Sequence, residues 1–153
     1  MLTVRAALPG DVATVLDAYE WLFEPPGLRP RNWDRRAATA RFERTIAGDR
    51  STLLIAESEG IVVGLVSVYL DIESIRFGQR AWVEDLAVHP EHRSEGIGKL
   101  LLSAAKSWAR ERGAMRLALD SGEARVDAHR FYMREQPSWR SLSFGWDLVD
   151  SGT

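Results

Sequence analysis

From Val12 onward apolar side chains recur at Val12, Val15, Leu16, Tyr19, Leu22 and Phe23, the spacing that draws one face of an α-helix. Asp11 lies at the end of that helix where the backbone dipole is positive. Ahead of it, residues 2–7 read as a short strand, closed by Pro9-Gly10-Asp11. Pro25-Pro26-Gly27 and Pro30 then enforce a loop, because a proline ring fixes φ and removes a donor. A second helix with a weaker pattern runs from about Asn32, a good N-cap residue, to Ala47, where Gly48 stops it. Its Arg35, Arg36, Arg41 and Arg44 are interleaved with Asp34 and Glu43 and read as a solvated face.

Strands dominate the middle of the chain. Residues 52–57 are apolar and β-branched, Glu59-Gly60 is a hairpin turn, and residues 61–71 continue the run. Phe77-Gly78-Gln79 marks the next reversal, residues 81–88 form the following strand, and Pro90 ends it. The clearest helix spans residues 98–112. There Ile97, Leu101, Ala104, Ala105 and Trp108 share one face, with Lys99, Ser103, Lys106 and Arg110 away from it. Gly113 supplies its left-handed end. Residues 115–120 read as a strand, 125–135 as a helix and 140–149 as one or two strands. With no internal repeat or second core, this order predicts one domain over residues 1–153, a mixed three-layer α/β sandwich.

Composition narrows the function classes. The 153 residues are 45% apolar and 27% charged, with a formal charge of −2, a balance that disfavours dedicated binding to nucleic acid or to an anionic membrane. Cysteine is absent, which excludes disulfides, thiolate zinc sites and a cysteine nucleophile. His89, His92 and His129 draw no metal triad, so no metal is expected. Met1-Leu2-Thr3-Val4-Arg5 shows no basic segment followed by an apolar run, and no stretch approaches about 18 apolar residues, so a cytoplasmic location is expected.

The chemistry concentrates where a strand enters a helix through a loop with two glycines, in Val83-Glu84-Asp85-Leu86-Ala87-Val88-His89-Pro90-Glu91-His92-Arg93-Ser94-Glu95-Gly96-Ile97-Gly98-Lys99. A helix start offers unpaired N–H donors and partial positive charge, which suit phosphate oxygens. Gly96 and Gly98 let the backbone approach a pyrophosphate, and Arg93 adds a cation. A dinucleotide fingerprint would need glycine where Leu101 stands, and a P-loop would need glycine where Arg93 stands.

Arg93-Ser94-Glu95-Gly96-Ile97-Gly98 resembles the Arg/Gln-x-x-Gly-x-Gly/Ala signature of the GCN5-related N-acetyltransferase (GNAT) superfamily. Glu84-Asp85-Leu86-Ala87-Val88 is similar to that family's fourth strand, and Ala128-His129-Arg130-Phe131-Tyr132 to its late helix. The resemblance implies a mixed sheet splayed between its fourth and fifth strands, with acetyl-CoA as cosubstrate in the opening. Backbone groups of Leu86, Ala87 and Val88 would pair with the pantetheine arm. The pyrophosphate would rest on the backbone of Arg93, Ser94, Glu95, Gly96, Ile97, Gly98 and Lys99, and Ser121, Arg125 and Ala128 would line the other wall. The implied activity is acetyl transfer to a primary amine by direct attack.

That reaction needs a base and an acid. An alkylamine titrates near about 10.4 and must lose a proton before it attacks. Glu84 is the candidate base, on a strand face shared with Trp82, Leu86 and Val88; Trp82 occupies the position where some relatives carry theirs. Its alternative role is an ion pair with an arginine. Tyr132 is the candidate acid for the leaving thiolate, matching the family's recurrent tyrosine, with helix packing as the alternative. The backbone N–H of Leu86 or a neighbour would face the carbonyl oxygen. The pattern departs from the family at Gln136-Pro137-Ser138-Trp139, where many relatives carry Gly-Phe, and at Asp120-Ser121-Gly122, where an asparagine is common.

Trp21, Phe23, Glu24 and Trp33, with Asp71, Glu73, Glu84 and Asp85, would suit a small basic amine such as a polyamine or aminoglycoside. The alternatives are a protein or peptide N-acetyltransferase and a non-catalytic acyl-CoA-binding regulatory domain. Trp139, Phe144 and Trp146 would supply either core or the interface of a homodimer.

Overall fold

The apolar runs assemble into one five-stranded sheet in the order β1-β2-β3-β4-β5. The strands are β1 (Leu2–Ala6), β2 (Ser51–Ser58), β3 (Ile61–Ser74), β4 (Gly78–Val88) and β5 (Arg116–Ala118). The first four pair antiparallel in sequence, and β5 joins β4 in parallel. This computed structural model describes residues 1–149; residues 150–153 of the expected domain lie outside the described residues.

The helices are α1 (Val12–Ala18), α2 (Glu20–Phe23), α3 (Arg35–Ala47), α4 (Ile97–Glu111) and α5 (Val126–Arg134). Alternation along the strands sends side chains to two cores. Leu53, Ile55 and Leu65 meet Val15, Ala18 and Phe42 of α1 and α3 on one face. Leu54, Ala56, Val66, Val68, Ala81 and Val83 meet Ile97, Leu101, Ala105 and Trp108 of α4 on the other. The architecture is therefore the expected mixed α/β sandwich. Leu101 and Leu65 are fully buried, and truncating either to alanine would cost about 2–5 kcal/mol. The first turns of α4 press directly on the strand at Gly64, where a Cβ would lie 2.8 Å from Leu101 Cδ1 and 2.9 Å from Ile97 Cγ2.

Two irregularities in β4 position the site. Pairing with β5 covers only Arg80↔Arg116, Ala81↔Leu117 and Trp82↔Ala118, although β4 continues to Val88. The sheet is thus splayed between its fourth and fifth strands, and the edge of residues 83–88 that faces β5 has no strand partner. The second irregularity is a bulge. Val66 opposes Leu86 and Val68 opposes Val83, so Glu84 and Asp85 together face Ser67 alone, whose buried Oγ accepts from Asp85 N at 3.0 Å. The extra residue reverses the alternation. Ala81 and Val83 before it, and Leu86 and Val88 after it, all pack on the α4 side, while Ala87 turns to the α1 side.

Several elements differ from their sequence expectation. The first helix breaks at Tyr19, and α3 starts at Arg35 behind Asp34, not behind Asn32. Asp34 is the cap because its carboxylate accepts from Arg36 N at 3.1 Å. The hairpin of β3 and β4 extends further than residues 71 and 81, to Ser74 and Gly78. No strand forms over residues 140–149. The alternation of Leu142, Phe144 and Trp146 with Ser141, Ser143 and Gly145 has the strand period, but those apolar side chains are 75–81% exposed. A strand needs a paired edge, and this segment has no ladder partner. These aromatics are accordingly not core. Among the described residues no helix is long and apolar enough to cross a membrane.

Candidate active site

The loop leaving β4 is shaped by its own side chains. His89 Nδ1 accepts from Glu91 N at 3.1 Å and caps the 3₁₀ turn Pro90–His92, while its ring meets Trp21 in a T-shaped contact. His92 Nδ1 meets Glu95 Oε2 at 3.0 Å. Ser94 and Gly96 take left-handed backbone angles, with φ of 66° and 84°. α4 follows without a side-chain cap, and its first backbone bond is Leu100 N to Gly96 O at 3.1 Å. The amides of Ile97, Gly98 and Lys99 therefore precede the helical ladder and are free to meet an anion. Nothing lies within 4 Å of the Cβ position at Gly96, so the cradle is open there; the left-handed angle is what calls for glycine. The Ile97 side chain turns into the core, leaving only its backbone to the cradle. Arg93 is exposed, and its Nε donates to Val88 O at 3.4 Å.

The opposite wall is α5 and the segment before it. Arg125, Ala128 and Tyr132 fall on the partly buried side of this helix. Phe131 covers Gly98, where a Cβ would sit 3.3 Å from its Cζ, so α5 leans on the start of α4. Ser121 Oγ is buried without a hydrogen-bond partner. Arg125 NH2 donates to Leu22 O at 3.1 Å and ties this wall to α2. Burial pushes the Tyr132 phenol above its ordinary value, with the Arg125 charge pulling weakly the other way. His129 Nε2 is bonded to Gly122 O at 2.8 Å, so all three histidines serve local geometry.

The acid–base groups differ from the expectation in one respect. Glu84 does not share a face with Leu86 and Val88, because the bulge sends those two into the α4 core. It is exposed, its Oε2 accepts from Trp82 Nε1 at 2.7 Å, and it forms no ion pair among the described residues. The adjacent Asp85 is the less exposed carboxylate, half-buried in the structure. Its Oδ2 accepts from Tyr19 OH at 2.8 Å. Burial raises the Asp85 pKa above the usual carboxylate value, the Tyr19 hydrogen bond opposes that rise, Glu84 adds to it, and Arg125 opposes it.

Asp85 and Tyr19 open onto a cavity of about 180 Å³ between α1, α3 and the sheet. Trp33, Arg41, Thr45 and Tyr69 also line it. Of the aromatics and carboxylates expected near the acceptor, Trp33 and Asp85 reach this cavity, whereas Asp71 is held by Arg80 at 2.6 Å. Tyr19 reads in the sequence only as part of an apolar helix face. Its pairing with Asp85 spans 66 positions and leaves no local signal. Among the described residues no group of three or more histidine, aspartate or glutamate side chains could hold a metal ion.

Comparison with known proteins agrees with this geometry. The profile described as "Acetyltransferase (GNAT) family" matches residues 15–136. The chain is 40% identical over 82 residues to the uncharacterized N-acetyltransferase YhdJ of Bacillus subtilis (strain 168), covering 54% of this chain and 58% of that one. It is 32% identical over 131 residues to the uncharacterized N-acetyltransferase YhfO of the same organism, covering 86% of each. Several other curated relatives are matched over about half of their own length. The solved structure of the aminoglycoside N-acetyltransferase AAC(6′)-Iy in complex with CoA superposes with a TM-score of 0.82 at 16% identity, over 97% of this chain and 96% of that one. The splayed sheet, the bulged fourth strand, the uncapped glycine turn and the profile match lead to one conclusion: the chain belongs to the acetyltransferase (GNAT) family.

Proposed function

We propose that the chain transfers the acetyl group of acetyl-CoA to a primary amine seated in the cavity beside Asp85. The observation that carries this reading is the continuity of two unpaired backbone surfaces. The free edge of residues 83–88 runs directly into the uncapped start of α4 at Gly96. An extended amide-bearing arm suits the first, and a diphosphate suits the second. Ser121, with its orphaned buried hydroxyl, supplies a polar contact on the facing wall. Leu86, Ala87 and Val88 would hold the arm, the backbone from Arg93 to Lys99 the diphosphate, and Arg125 and Ala128 the far wall.

Acetyl-CoA supplies an activated thioester. The protein's own groups handle the protons. Asp85 attracts the ammonium form of the amine into the cavity, and Glu84, which is exposed outside the cavity lining and oriented by Trp82, takes its proton through solvent. The amine nitrogen then bonds to the carbonyl carbon while the carbon–sulfur bond breaks, and the nitrogen gives up its second proton to solvent. A free amide on the unpaired edge near Leu86 faces the negative charge developing on the carbonyl oxygen. Tyr132, kept protonated by burial, donates its proton to the departing sulfur and is restored from solvent. A cavity of about 180 Å³ supports a small amine over a protein tail as acceptor.

The test is calorimetric titration with CoA, followed by amine-dependent release of free thiol from acetyl-CoA. Binding and release that require an added amine support the reading. Binding without release from any amine would leave an acyl-CoA-binding domain, and absence of binding would end the assignment altogether.

A further inference from the structure

The acceptor cavity carries two kinds of charge. Its β4 side holds the Asp85 carboxylate, which accepts from the Tyr19 phenol. Its α3 side presents Ala38, Arg41, Phe42 and Thr45, which occupy positions i, i+3, i+4 and i+7 of one helical face. Ala38 and Phe42 are buried, and this fixes the rotation of α3 and carries Arg41 and Thr45 to the cavity. Of the four arginines on α3, Arg41 is the one that lines it. Arg41 has no hydrogen bond or ion pair among the described residues, whereas Arg35 on the same helix is spent on Asp17 at 2.8 Å. Beside it, Thr45 Oγ1 and Tyr69 OH lie 3.3 Å apart and both reach the cavity.

We propose that the acceptor is a small zwitterionic amine, with its ammonium at Asp85 and its own carboxylate or phosphonate at Arg41, Thr45 and Tyr69. This rests on the reading of the cavity as the acceptor site. A guanidinium and the one hydroxyl that the Thr45–Tyr69 hydrogen bond leaves free to donate suit a multi-oxygen anion, and a guanidinium can engage two oxygens at once. A polyamine would bring its second cation to the same guanidinium, which repels it. The cavity holds about six waters at roughly 30 Å³ each, room for a short amino acid or aminophosphonate.

The test compares four short amines as acceptors for the full chain with acetyl-CoA: β-alanine, 2-aminoethylphosphonate, propylamine and 1,3-diaminopropane. Either anionic amine should exceed both others in kcat/KM by about tenfold or more, carried mainly by KM. The relative rates of the first two identify carboxylate or phosphonate as the anion. Arg41→Gln should cut that preference by about tenfold, and Arg41→Lys should retain part of it. Propylamine or 1,3-diaminopropane matching the anionic pair, or Arg41→Gln leaving the preference unchanged, overturns the zwitterion while leaving amine acetylation intact. Release of thiol from none of the four overturns the acceptor site and this inference together.

Discussion

The phenol of Tyr19 donates a 2.8 Å hydrogen bond to Asp85 Oδ2, joining the break between α1 and α2 to the bulge in β4. Burial and the nearby carboxylate push the Tyr19 phenol well above its ordinary value, so it remains a donor. In return its hydrogen bond holds the Asp85 pKa below what burial alone would impose. The two residues form one unit in the lining of the cavity between α1, α3 and the sheet.

Tyr19→Phe removes the donor and leaves a half-buried carboxylate less well satisfied. The Asp85 pKa should rise further, so the acidic limb of the kcat/KM profile should move to higher pH. A hydrogen bond to a charged group is worth about 1.5–3 kcal/mol, and urea unfolding at neutral pH should show a loss in that range. An unshifted acidic limb would detach Asp85 from catalysis.

Asp85→Asn should show its effect through pH. The folded-state pKa of Asp85 lies above the ordinary value of 3.8, so the native chain holds the proton more tightly than the unfolded one. The wild type is therefore favoured by protonation below pH 3.8 and loses that advantage as pH rises through the raised value. The neutral amide does not titrate. The stability of the variant relative to wild type should thus grow between acid and neutral pH. Paired thermal melts at several pH values measure it.

Glu84→Gln and Tyr132→Phe separate chemistry from binding. Each should lower kcat by about 10²-fold or more, the usual contribution of a positioned acid or base. The calorimetric affinity for CoA should stay within about twofold, because binding rests on backbone groups and the wall of α5. Turnover unaffected in both variants would remove the assigned proton transfers without disturbing the fold.

Gly96→Ala should harm both stability and CoA affinity. At φ 84° an alanine costs about 1–2 kcal/mol, and relief of that strain would swing the amides at the start of α4. Denaturant unfolding reads the first effect and CoA titration the second.

Ser121→Ala should behave oppositely in the two assays. Its buried Oγ has no partner, so deletion should leave the unliganded protein equal or more stable by about 1 kcal/mol. CoA affinity should fall, since the hydroxyl has a partner only when the wall is occupied. A loss of stability in the unliganded protein would place that oxygen in the fold instead.

Much of the fold was legible because its cues are local. The helical period of Ile97, Leu101, Ala105 and Trp108 predicts the face that α4 buries, and all four are in its core. The glycine turn at Gly96 was equally readable, since its φ demands that residue type. Other elements were misread where local signals compete. Asn32 and Asp34 are both good caps, and the pairing of Trp33 N with Pro30 O at 3.0 Å holds the chain in a turn until after Asn32. The tail has a strand's alternation, but alternation describes two faces and not the hydrogen-bonding edge that a strand must find.

Composition and spacing were enough to settle the α/β layering and the strand-to-helix turn, because periodicity and backbone sterics act between neighbours in the chain. Which carboxylate would turn inward was not among the things they settled. Glu84 and Asp85 are adjacent in sequence, and a regular strand would give each a predictable face. The two-against-one pairing across Ser67 cancels that regularity, turning Leu86 and Val88 into the α4 core and Asp85 toward Tyr19. Bulge, cavity and partner are properties of strands and helices packed from distant segments, and they exist only once the sheet has closed around them.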